Sequence, residues 1–222
     1  MRTARVTAAV LAMLAAVTVA AAPVLTAPAS AGPAARPAAA AEEALETLPV
    51  KGRAPLTGYE REAFGTPWKD VDGNGCDTRN DILRRDLVQK VILPDCTVAR
   101  GVLRDPYTRR EIRHVAGRST IDIDHVVSLS DAWQKGAFRW TEARRTAYAN
   151  DPLNLLAVDY SANRQKSDAD AASWLPPNTA YRCAFVARQV AVKAKYALWV
   201  TAAEKAAISR VLTRCPSYPL PR

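Results

Sequence analysis

The chain has 222 residues and carries 31 Lys and Arg against 22 Asp and Glu, a formal net charge of +9. That length allows one domain with a substantial core, and the basic excess favours polyanionic partners such as nucleic acid. Four cysteines without a C-x-x-C pair argue against a zinc ribbon and for disulfides.

Arg2 and Arg5 precede an apolar run from Val6 to Ala22, and Ala29-Ser30-Ala31 supplies small residues for cleavage. This predicts a secretory signal peptide over 1–31, too short and too interrupted by Pro23 for a permanent anchor. Its removal takes Arg2 and Arg5 from the formal +9 and leaves +7. Residues 32–50, rich in Ala and Pro, read as a disordered linker. The folded domain is then expected over 51–222, secreted, with no stable membrane association once the signal is removed.

Within that domain, Asp70, Asp72, Asn74, Gly75 and Asp81 match the spacing of a calcium loop, with Asp at the last position where Glu is usual. The competing reading is a glycine-rich turn whose aspartates cap the next helix. Residues 78–90 place Ile82, Leu83, Leu87 and Val88 on one side, as an amphipathic helix would, with Asp77 or Thr78 as cap. A hairpin is expected over 98–115, turning at Asp105-Pro106-Tyr107-Thr108. A β-branched run over 120–127 reads as a strand. Two short helices follow, over 128–140 and 141–151, and a second strand over 154–159. A helix opens at Ser161, and two more fill the stretch from about Asn178 to Thr213, the second with a capping box of Thr201 and Glu204. Of the three pairings open to the cysteines, Cys76–Cys96 and Cys183–Cys215 are favoured, because each staples the surroundings of one helical segment.

The chemistry concentrates in IDIDHVVSLSDAW at 121–133 and DPLNLLAVDYSANRQKSD at 151–168. A phosphodiester is hydrolysed when a base takes a proton from a positioned water while a cation stabilises the charge developing on phosphate and leaving oxygen. His125 suits the base, and Asp124 and Asn163 offer oxygens to a hard cation. Adjacent strand residues point to opposite faces, so Asp124 and His125 can share one site only where the strand ends or twists. His114, in a basic hairpin without a neighbouring carboxylate, reads as a hairpin-face residue or phosphate contact. Asp122 is a supporting candidate beside Asp124, and Asp168 and Asp170 read as exposed turns or caps. Trp133 and Trp174 read as core packing rather than base-stacking platforms.

Asp-His, then Asn before a second strand, then Asn-Arg-x-Lys opening a helix, resembles the HNH nucleases of the ββα-metal (His-Me finger) superfamily. The wider context, DIDHVVSLSDAWQKGA, ANDPLNLLAV, NRQKSD and WLPPN, is similar to the GmrSD-type C-terminal domain branch, especially its secreted actinobacterial members. The resemblance covers about residues 57–215. It implies an α+β fold, a small ββα-metal unit embedded in a mostly helical, disulfide-stapled domain. It also implies His125 as general base, Asn154 as the residue that holds the loop and orients that base, and Asp124 and Asn163 as metal ligands. Arg164 and Lys166 are expected at phosphates, from charge and position. Asn163 stands where many relatives have histidine, which tilts the expected cation towards Mg²⁺ or Mn²⁺. The expected activity is a secreted, metal-dependent endonuclease acting on DNA, with RNA as a second substrate. The alternative is a basic exported module that binds nucleic acid or acidic wall polymers without catalysis.

Overall fold

A computed structural model describes residues 40–221. The expected signal peptide and residues 32–39 of the expected linker lie outside the described residues. The remainder of that linker is not disordered: Ala41–Thr47 forms helix α1, and Ala41, Leu45 and Leu48 are buried in the main core. Spaced as one side of a helix, these apolar residues pack α1 against the two last helices, so the folded unit starts before residue 51.

The order of elements is mixed α+β. Helix α2 (Thr78–Asp86) is followed by strands β1 (Leu87–Ile92), β2 (Val98–Arg104), β3 (Glu111–Val115) and β4 (Ile121–His125). Then come α3 (Leu129–Gln134), α4 (Glu142–Ala149), β5 (Leu155–Asp159), α5 (Tyr160–Lys166), α6 (Arg182–Tyr196) and α7 (Ala202–Leu212). The expected helix over 78–90 is cut short. Asp77 caps α2 by accepting from the Asn80 N–H, but from Leu87 the chain is extended and pairs antiparallel with β2, Leu87 opposite Leu103. Val88, Val91 and Ile92 prefer this pleated setting, and the hairpin supplies the edge that receives them. The expected hairpin forms as β2–β3, turning at Asp105–Thr108, within a three-stranded sheet ordered β1-β2-β3.

A separate antiparallel pair, β4–β5, is followed directly by α5. Helix α5 begins one residue before the expected Ser161, because the Asp159 carboxylate caps it by accepting from the Ala162 N–H at 2.8 Å. Helix α2 anchors β5: Asp86 accepts from the Ala157 N–H at 2.9 Å, and Arg85 donates to the carbonyls of Pro152 and Leu155. The capping box of Thr201 and Glu204 forms at the start of α7. Both favoured disulfides are present, Cys76–Cys96 tying α2's approach to the β1–β2 turn and Cys183–Cys215 tying α6 to the end of α7. Among the described residues no helix is long and apolar enough to cross a membrane.

Beneath α3, α6 and α7 lies a cluster of charges. Lys135 and Lys193, both 0% exposed, are held by Asp131, Glu204 and Asp170 at 2.6–3.0 Å. Arg53 reaches in to Asp131 and Asp170. Three carboxylates meet three cations, which is how so many buried charges can be tolerated. Asp170 is therefore not an exposed turn residue but a member of this cluster.

Candidate active site

Strand β4 ends at His125 because Asn154 intercepts the chain. Its carbonyl accepts from the Val126 N–H at 2.8 Å, its Oδ1 accepts from the Val127 N–H at 2.9 Å, and its Nδ2 donates to the Val127 carbonyl at 3.2 Å. Tyr148 donates its hydroxyl to the same carbonyl. Fully buried, Asn154 holds the loop after His125, and its side chain bonds to Val127 rather than to the imidazole.

With the strand broken there, Asp124 and His125 both face a cleft of about 290 Å³, shared with Asn163, Arg164, Asp168 and Arg61. The His125 Nε2 lies 2.8 Å from the Ala149 carbonyl. A carbonyl can only accept, so Nε2 carries the proton and Nδ1 is left with its lone pair. Burial, together with the nearby Arg61 and Lys166 charges, outweighs the Ala149 bond and lowers its pKa to about 4. The imidazole is thus neutral and able to accept a proton throughout the neutral range. Trp68 lies nearly parallel to it, centroids 6.2 Å apart.

Asp124 is almost wholly buried. Its Oδ2 accepts from the Tyr107 hydroxyl at 2.6 Å and its Oδ1 from Lys166 Nζ at 2.9 Å. The same ammonium donates to the His125 carbonyl at 2.9 Å. Burial raises the Asp124 pKa, against the opposing pull of Lys166 and Tyr107. Burial and the adjacent Asp124 hold Tyr107 well above the ordinary phenol range, so it remains a donor. Lys166 is 0% exposed and is not the phosphate contact expected of it; it is the buried counter-charge of Asp124. Arg164, by contrast, is exposed, lies over the Tyr160 ring, and lines the cleft.

Asn163 Nδ2 donates to Asp122 Oδ2 at 3.1 Å. That bond leaves its neutral Oδ1 in the cleft that Asp124 also lines, and gives Asp122 a supporting place. Among the described residues no group of three or more His, Cys, Asp or Glu is arranged to hold a metal ion. One ion-paired carboxylate plus one amide oxygen fits a hard cation only when water and substrate phosphate complete its shell.

The remaining candidates fall elsewhere. His114 is buried in the β2–β3 sheet, away from the His125 cleft, donating from Nε2 to the Val98 carbonyl and paired at Nδ1 with Ser119. The 70–81 loop closes on itself. Asp70 accepts from the N–H groups of Gly73 and Gly75, and Asp81 is met by Asn74 Nδ2 and by Arg84. Its carboxylates accept these N–H and guanidinium bonds within the loop. Trp133 is core, as expected.

Tyr107, Arg61 and Trp68 complete the surroundings of the site without having been expected there, Tyr107 from beneath Asp124 and Trp68 beside His125. Tyr107 sits in the hairpin turn, and Arg61 and Trp68 belong to the loop before α2. That loop lies close against α4 because Gly65, at φ +80°, has no Cβ to clash with Thr146. Arg61 lines both the main cleft and the small recess beside Trp68, and makes no ion pair among the described residues.

The family described as GmrSD restriction endonucleases, C-terminal domain, matches residues 77–211. A protein of the fungus Arthroderma benhamiae, described as an uncharacterized secreted protein, is 38% identical over 180 residues, covering 80% of this chain and 86% of that protein. Export agrees with the two disulfides, which persist in oxidising surroundings. The fungal relative also shows that similar chains are not confined to the actinobacteria to which the resemblance pointed. No solved structure matches the chain.

Proposed function

The chain belongs to the family of the GmrSD restriction-endonuclease C-terminal domain, and from that premise we propose that it is a secreted HNH-type endonuclease that hydrolyses phosphodiester bonds of DNA, with RNA as a second substrate. The observation that carries this reading is His125: a neutral imidazole whose Nε2 is committed to the Ala149 carbonyl and whose Nδ1 belongs to a cleft lined by Asp124, Asn163, Arg61 and Arg164.

His125 takes the proton of a water that attacks phosphorus, and its fixed tautomer makes Nδ1 the accepting atom. Arg61 and Arg164 hold the phosphate oxygens, the task expected of Lys166 from its charge. Tyr107 and Lys166 fix the direction of the Asp124 carboxylate from beneath. Asp124 and Asn163 would hold one divalent cation, Mg²⁺ or Mn²⁺, which when bound supplies charge stabilisation at the phosphate and the leaving 3′ oxygen. The products then carry 5′ phosphates.

The test is cleavage of plasmid by the purified protein across a series of divalent cations, with and without chelator, alongside His125→Ala. Metal-dependent cleavage lost in His125→Ala supports the proposal; cleavage that survives either the chelator or the substitution overturns the mechanism. Binding without cleavage under every cation would instead favour the non-catalytic module, a reading for which the ion pair on Asp124 is the one structural argument.

A further inference from the structure

Residues 171–175, the start of α6 and the end of α7 enclose a second groove of about 550 Å³, within the size range of small-molecule and nucleotide sites. Its floor is apolar, built from Leu175, Ala207 and Val211 with the half-buried Trp174. Its rim carries Arg182, Arg210 and Arg214, and no carboxylate lines it.

Arg182 opens the 15-residue α6, at the positive end of the helix macrodipole. Arg210 lies in the last turn of α7 and Arg214 just beyond its end. None of the three makes an ion pair among the described residues. Arg210 and Arg214 are exposed, so their charge is open to an anionic ligand, while Arg182 donates from Nε to the Pro176 carbonyl.

The groove is also close to the catalytic cleft. Ser167 and Asp168 line the cleft, and Ala171 already lines the groove. Three residues span at most about 11 Å. One polymer strand can therefore run across both, presenting phosphates to the arginines and an apolar base face to Trp174, the combination used by single-strand binding grooves.

We propose that this groove is a second nucleic-acid subsite, which grips the strand beyond the scissile phosphate through Arg182, Arg210 and Arg214; it rests on the phosphodiesterase reading of the His125 cleft. Trp174 also packs against the buried Tyr107, whose hydroxyl holds Asp124, so the two sites share a layer of core.

The experiment uses the full disulfide-bonded chain, native and with Arg210→Glu/Arg214→Glu, on two substrates: a single-stranded oligonucleotide and bis(4-nitrophenyl) phosphate, which is too small to reach the groove. The charge reversal should lower kcat/KM on the oligonucleotide at least about tenfold and leave the small diester within about twofold, since the catalytic groups are untouched. In His125→Ala protein without metal, the slope of log Kd against log salt should shrink by about 1.4, for two lost contacts at about 0.7 each. Arg210→Lys/Arg214→Lys should keep most of the slope, and Arg210→Ala/Arg214→Ala should lose it without the strain of reversed charge. An unchanged slope together with unchanged oligonucleotide cleavage overturns the subsite. Should the native protein hydrolyse neither substrate, the catalytic reading falls, and the salt slope alone decides the groove.

Discussion

Replacing Lys166 with Met separates the structural role found for it from the phosphate-binding role that its charge suggested. Its ammonium is 0% exposed and 2.9 Å from Asp124 Oδ1, whose side chain is 5% exposed. At that separation the gross attraction is about 6 kcal/mol with an effective dielectric of 20, most of it offset by the cost of desolvating both groups. Removing one partner takes away the attraction and leaves the desolvation, a loss typically of about 3–5 kcal/mol. That is a large share of the roughly 5–15 kcal/mol that holds a domain folded. Methionine keeps the length of the stem, so cavity formation contributes little. In urea unfolding with the disulfides intact, Lys166→Met should therefore lose about 3–5 kcal/mol, and adding Asp124→Asn should restore part of it. Arg164→Ala, with its side chain 68% exposed, should change stability by no more than about 0.5 kcal/mol while raising KM. A Lys166→Met protein that keeps its stability within about 1 kcal/mol and shows only a raised KM would refute the argument, because its ammonium would then reach substrate.

Three further outcomes follow from the same geometry. The folded pKa of His125, about 4, lies below its unfolded value, so the unfolded chain binds the extra proton first as pH falls. Stability should therefore drop by up to about 3 kcal/mol between pH 6.5 and 4 in chelator; a native slope identical to that of His125→Gln would contradict it. Because Asp124 is already ion-paired, 1 mM Mg²⁺ should stabilise the substrate-free protein by no more than about 0.4 kcal/mol, the value for a ligand at its own Kd; a rise in Tm of several degrees would show a preformed metal site. Lys193→Met, which leaves Asp131, Asp170 and Glu204 with Lys135 and the partly exposed Arg53, should cost about 3–5 kcal/mol, read by urea unfolding; a neutral result would mean that the buried cluster contributes no net ionic stabilisation.

Much of the fold was legible where local rules decide it. The cap at Asp77, the capping box at Thr201 and Glu204, and the hairpin turning at Asp105–Thr108 are short-range patterns, and each stands as read. The α2–β1 boundary was not legible, because Leu87 and Val88 satisfy a helical face as well as a strand, and only pairing with β2 decides between them. The linker was misread for a similar reason: an Ala-rich stretch has too little apolar area to fold alone, but Ala41 and Leu45 are covered by helices some 150 residues away in sequence, at Arg182–Tyr196 and Ala202–Leu212. At the cleft, His125, Asp124, Asn154, Asn163 and Arg164 could be found from order and spacing. Arg61, Trp68 and Tyr107 could not, since a loop residue brought in by tertiary packing leaves no period in the sequence. Nor does charge reveal burial, which is why Lys166 and Asp170 were placed on the surface.

The cleft depends most on a conflict between strand geometry and chemistry. Residues 124 and 125 must point to opposite faces while the strand lasts, yet the proposed mechanism places a cation-holding carboxylate and a base at one phosphate. The resolution is to stop the strand at His125. Asn154, at the entrance to the partner strand, supplies the bonds that Val126 and Val127 would otherwise seek from a continuing ladder. Asp124 then turns inward to Tyr107 and Lys166, while His125 swings to the Ala149 carbonyl, and both still border the same cavity. Asn154 therefore shapes the cleft through the backbone alone. Its amide is a template for the bend, and an isosteric aspartate, which offers no N–H donor to the Val127 carbonyl, would loosen the loop at the one point where the two functional side chains are brought together.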